Sequence, residues 1–168
     1  MKCFFQRKLG ICFLGCAAAF AITPSSMAHD PLLWNGDKIH VLLEKGKTND
    51  SLGMFTVEID GSKGPPRHIH EDADEAFYVL EGEAEVLVDG ETKTIAAGEA
   101  GFAPKGKEHT FKMTGDEGGK VLVVVTPGGF EGFFGATVDL KLPEQMPELE
   151  KISAEFGQKF TGPPLGKE

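Results

Sequence analysis

Over most of its length the chain alternates apolar and polar residues with a period of two, broken every few residues by glycine, proline or an acid. This is the signature of short, half-buried strands. "KIHVLLE" (Lys38–Glu44) and "LGMFTVEID" (Leu52–Asp60) open the series, and "EAFYVLEG" (Glu75–Gly82) and "EAEVLVDG" (Glu83–Gly90) continue it. Asp89-Gly90 then turns the chain into "ETKTIAA" (Glu91–Ala97), because both residues tolerate positive φ. "GFAP" (Gly101–Pro104), "HTFKM" (His109–Met113) and "KVLVVVTP" (Lys120–Pro127) complete the pattern. Many short strands without helices between them predict an all-β sandwich or barrel.

The pattern changes after Pro127. "GGFEGFFGATV" (Gly128–Val138) suggests a short helix, against the cost of its glycines. "PELEKISAEFG" (Pro147–Gly157) is a stronger helix signal, with Leu149, Ile152 and Phe156 on one face, Pro147 near the start and Gly157 after the end. The tail "TGPPLGKE" reads as irregular. The chain therefore divides into a β-barrel over residues 29–140 and a C-terminal helical tail over 141–168.

Residues 1–28 are expected to be removed. Lys2, Arg7 and Lys8 make a basic start, Leu9–Ile22 is almost wholly apolar, and Ser26-Met27-Ala28 offers small residues to a signal peptidase. The apolar run is shorter than the ~20 residues of a membrane span. The reading is a signal peptide cleaved after Ala28, a periplasmic or secreted protein, and no membrane attachment after cleavage. All three cysteines (Cys3, Cys12, Cys16) leave with it, so the mature chain has neither disulfide nor thiol chemistry. Loss of the three basic residues leaves 14 basic against 26 acidic, a net charge of −12. That field argues against nucleic acid or an anionic membrane as partner.

Three of the five histidines have informative neighbours. His68 and His70 share one face of an extended strand. Glu75 stands at the entry to the next apolar strand, and His109 opens the strand after "PKGKE". Neutral imidazoles and a carboxylate suit one divalent transition metal: Fe, Mn, Ni, Co, Cu or Zn. Phe77 and Val79 share a face with Glu75, and Phe111 and Met113 share one with His109. Phe77, Phe111 and Met113 are the candidate lining of a substrate pocket, and Val79 reads as barrel core. Glu71, Asp72 and Asp74 read as a solvated turn, and His40 as a partly exposed strand residue.

The spacing around these residues is H-x-H-x4-E-x6-G from His68 to Gly82, and G-x5-P-x-G-x2-H from Gly98 to His109. Together the two resemble the paired motifs of the cupin superfamily, which implies a jelly-roll barrel over roughly residues 39–125 with His68, His70, Glu75 and His109 on one metal. Two positions depart from the family pattern. Gly61 stands one place further from the first histidine than usual and Gly64 too close, with Pro65-Pro66 between, and Met113 replaces the usual asparagine.

"GPPRHIHEDADEAFYVLEGE", "TPGGFEGFF" and "EKISAEFGQKFTGPPL" further resemble single-domain cupins related to quercetin 2,3-dioxygenase. That resemblance implies a dioxygenase acting on a small aromatic or enol compound such as a flavonol. There Glu75 is both ligand and base for the substrate hydroxyl, and dioxygen opens the ring with release of CO. The second reading is a metal-containing cupin that binds a small molecule without turnover. The fold also allows a homodimer, through barrel sheets or exchanged N-terminal strands.

Overall fold

The computed structural model describes residues 30–166. The expected signal peptide lies outside the described residues.

Eleven strands form two sheets. In chain order they are β1 (Leu32–Trp34), β2 (Asp37–Leu43), β3 (Gly53–Ile59), β4 (Arg67–His70), β5 (Asp74–Glu81), β6 (Glu83–Val88), β7 (Glu91–Ala96), β8 (Ala100–Ala103), β9 (His109–Met113), β10 (Gly119–Thr126) and β11 (Gln158–Gly162). The first sheet runs β1-β2-β3-β10-β5-β8 and the second β11-β4-β9-β6-β7. All pairings are antiparallel. The order is a jelly roll whose sheets face each other without closing into one continuous barrel, with two short helices, α1 (Gly132–Thr137) and α2 (Met146–Glu155). This is the all-β architecture expected from the period-two pattern.

Alternation decides what each strand buries. On β5, Glu75, Phe77 and Val79 point inward while Tyr78 and Leu80 stay exposed. On β4, His68 and His70 are buried and their neighbours half-buried. The β6–β7 hairpin turns at Asp89 and Gly90, with φ of 51° and 84°, the left-handed pair that matches strand twist.

The core has an aromatic end. Helix α1 has no side-chain cap, and packing holds it. Its Phe133 and Phe134 lie against Trp34, with ring centroids 5.6 and 5.7 Å away. Trp34 Nε1 donates to Thr137 Oγ1 at 2.9 Å, and Thr137 Oγ1 donates to the Phe133 carbonyl at 2.7 Å. The indole is thereby fixed to the helix that covers it.

The tail differs from expectation. Thr161 and Gly162 belong to β11, which follows α2 directly and pairs with β4, setting Gln158 opposite His70 and Phe160 opposite His68. Pairing with the strand that carries two of the candidate ligands extends this segment, although it holds one large apolar residue and no strong strand pattern of its own. The C-terminal region is thus a helix followed by a strand that joins the barrel sheet.

Candidate metal centre

The four motif residues converge where the two sheets face each other. His68 and His70 come from β4 and His109 from β9, both in the second sheet, while Glu75 comes from β5 in the first. His68 and His109 are direct cross-strand partners. One ligand atom from each of the four lies within 4.8 Å of every other, and all four residues are buried. Glu75 Oε2 is the focus: it stands 2.7 Å from His109 Nε2, 3.5 Å from His70 Nε2 and 3.9 Å from His68 Nε2.

Backbone carbonyls set the rings. His68 Nδ1 donates to the Pro66 carbonyl at 2.8 Å, and His109 Nδ1 to the Lys107 carbonyl at 2.7 Å. With the proton on Nδ1, a neutral ring presents an Nε2 lone pair toward Glu75. A lone pair and a carboxylate oxygen in contact repel unless a positive charge lies with them. A proton on His109 supplies one such charge and a metal ion another. His70 has no hydrogen-bond partner on either ring nitrogen despite full burial. An orphaned buried imidazole is costly, and a cation would satisfy it. Metal–donor bonds of about 2.1 Å place neighbouring donors about 3 to 4 Å apart. The residues present therefore fit a divalent transition metal.

The electrostatics agree with a site built for positive charge. Burial by itself would raise the Glu75 carboxyl, but the hydrogen bond with His109 and the nearby imidazoles of His68 and His70 together hold it well below the usual carboxylate range. Burial lowers His68, with Glu75 opposing. Burial also acts to lower His109, yet the bond to Glu75, its charge and the Lys107 carbonyl outweigh it and leave the imidazole raised.

Beside the cluster lies a cavity of about 50 Å³, into which His68 and Glu75 project. Its walls are mostly apolar and rich in aromatic rings. Phe77 and Phe111 line it, their rings 5.6 Å apart, and Trp34, Phe55, Phe130 and Phe160 add further wall. Met113 does not line it. It shares the face of His109 but lies four residues along β9, about 13 Å at strand rise. There it pairs with Ala84 and is fully buried toward Gly82 and Gly119 at the other end of the barrel. The sequence reading also missed Asp37 and Gln158, polar residues of the lining contributed by β2 and β11. Alternation within one strand carries no signal of walls brought together from both ends of the chain.

The surrounding loops explain the departures in glycine spacing. A Cβ on Gly64 would run into the Phe111 carbonyl, so the backbone before the histidines packs directly on β9. Gly61, at φ +76°, makes the turn before it. Thr110 Oγ1 donates to the Pro65 carbonyl at 2.7 Å, tying the two histidine-bearing segments together. Glu71 and Asp72 are exposed, as a solvated turn requires. Asp74 is more than that, because its Oδ1 accepts from Lys105 N at 2.9 Å and anchors the loop that delivers His109.

A family model described as a cupin domain matches residues 54–125. The chain is 32% identical over 105 residues to quercetin 2,3-dioxygenase of Bacillus subtilis, covering 61% of this chain and 30% of that protein. It is 30% identical over 112 residues to the tetracenomycin polyketide synthase protein TcmJ of Streptomyces glaucescens, covering 66% of this chain and 74% of that one. The crystal structure of an RmlC-like cupin from Shewanella frigidimarina superposes with a TM-score of 0.52 at 25% identity, over 63% of this chain and 89% of the other. The matched region thus spans less than a third of the Bacillus enzyme but most of the Streptomyces protein. The jelly-roll order, the histidines of both motifs on adjacent strands facing Glu75 of the other sheet, and these likenesses lead to one conclusion: the chain belongs to the cupin family.

Proposed function

We propose that the protein is an exported, metal-dependent dioxygenase acting on a small aromatic or enol compound of flavonol-like chemistry. The observation that carries this reading is the buried His68, His70, Glu75 and His109 set opening on an aromatic-walled cavity. A quercetin 2,3-dioxygenase and a polyketide synthase protein among the relatives support it.

His68, His70, His109 and Glu75 would hold the metal. When bound, it supplies Lewis acidity toward an enolate oxygen and a route for electrons to dioxygen. The protein's own part is positioning and proton transfer. Carbonyls of Pro66 and Lys107 fix two of the imidazoles. Glu75 stays ionised because its carboxyl is lowered, and so can accept the proton of an enol or phenol hydroxyl. Phe77 and Phe111 orient a planar ring beside it and exclude water.

The test is anaerobic reconstitution with Fe, Mn, Co or Ni, followed by oxygen uptake across a panel of flavonols and simpler enols. Uptake with at least one pairing is expected. Saturable binding with no uptake under any pairing would replace this reading with that of a binding cupin. Export is tested by N-terminal sequencing of the periplasmic or secreted fraction, where the chain should begin at His29.

A further inference from the structure

The cavity beside Glu75 measures about 50 Å³, room for a few waters and far below the ~300 Å³ of a typical small-molecule pocket. A multi-ring aromatic cannot lie wholly inside it. The remainder must occupy a second space continuous with the first.

A candidate space lies just outside. A cleft of about 440 Å³ shares Trp34, Pro66 and Phe160 with the inner cavity, and its far walls are chiefly apolar, including Leu142, Met146 and Leu149. Two of the three shared residues are fixed. Trp34 is tied to Thr137 through Nε1 at 2.9 Å. Pro66 has no rotatable side chain, and its carbonyl holds His68 at 2.8 Å. Phe160 is different: it is half-buried on the edge strand β11, whose one sheet neighbour is β4. Its register partner is His68, so the two side chains stand on the same face of the sheet.

We infer that the Trp34–Pro66–Phe160 boundary is the portal to the metal centre, that Phe160 is its gate, and that the outer cleft is an apolar subsite for the second ring system of a multi-ring aromatic enol. The inference rests on the aromatic-enol reading of the site but does not require turnover. A cleft of about 280 Å³ also meets the inner cavity at Gln158 and Phe160, but Glu71, Glu150 and Lys159 make it polar. A further route lies past Phe130, which separates the inner cavity from a cleft of about 650 Å³. Phe130 is pinned, however, with its ring 4.2 Å from that of His70 and 5.4 Å from that of Phe133.

Trp34 is the sole tryptophan and touches both spaces, so its fluorescence reports occupancy. Protein loaded with redox-inert Zn²⁺ would be titrated with 3-hydroxyflavone, a multi-ring enol, and with maltol, a single-ring one. Phe160→Ala should speed 3-hydroxyflavone association at least fivefold. Met146→Gln, at an exposed position of the outer cleft, should weaken 3-hydroxyflavone at least threefold and leave maltol within twofold. Unchanged 3-hydroxyflavone binding in both variants would overturn the inference, as would equal loss of both probes in Met146→Gln. Failure of the wild type to bind either probe would overturn it too. Binding as expected, with no oxygen uptake under any metal, would retain the subsite and refute the dioxygenase.

Discussion

Glu75 Oε2 stands 2.7 Å from His109 Nε2 across the gap between the two sheets, while His109 Nδ1 is already committed to the Lys107 carbonyl. The pair is the shortest of three imidazole contacts that meet at one carboxylate oxygen. A jelly roll closes hydrophobic faces on each other, and here it closes a carboxylate from one face onto histidines from the other. The charge that reconciles these groups is what the site is built to hold.

Glu75 therefore has two jobs, and they separate experimentally. Glu75→Gln keeps the shape but removes the charge and the proton acceptor. Metal occupancy should fall, and turnover per bound metal should fall further, by about 10²–10⁴-fold. Oxygen uptake normalised to bound metal checks this. Unchanged turnover per metal would leave Glu75 as ligand alone.

Asp37 lines the cavity as a buried carboxyl whose ionisation is raised above its ordinary 3.8, because burial outweighs the Lys63 ammonium 2.7 Å away. The folded state then holds a proton that the unfolded chain has released. Stability from this group falls as pH rises from about 3.8 through the folded value and is flat beyond it. In metal-free protein, denaturant titrations across that window should show this downward contribution in wild type, superposed on the upward one from Glu75, whose carboxyl is lowered. Asp37→Asn should lack the downward contribution, and identical slopes would contradict the assignment.

Gly64 is required by close approach, not by a left-handed backbone. A Cβ there meets the Phe111 carbonyl, so Gly64→Ala must push the Pro65-Pro66 loop off β9. Overpacking of this kind costs about 1–3 kcal/mol. Because Pro66 orients His68, metal affinity should fall along with the melting temperature. A variant with wild-type melting and metal content would show that the loop is free to shift.

The strands and the ligands were legible in the sequence for the same reason: each is a local pattern. Glu75, Phe77 and Val79 alternate on one strand, and His68 and His70 do so on another. Spacing to Gly82 and from Gly98 supplied the rest. What was not legible depends on distant segments meeting. β11 is extended because β4 lies beside it, and Trp34, Asp37, Phe130 and Phe160 become cavity walls only through the fold. Met113 shows the limit of parity reasoning. Facing the same way as His109 did not bring it to the same place, since four residues of strand separate the two.

The central claim is that His68, His70, Glu75 and His109 hold one metal ion. The most direct test is elemental analysis of the purified wild type beside His68→Ala, His109→Ala and His40→Ala, the last at a half-buried position on β2 away from the cluster. The account expects about one transition-metal ion per chain in the wild type and in His40→Ala, and at least a tenfold loss in the other two. Equal metal content in all four proteins, or no stoichiometric metal in the wild type, would contradict it.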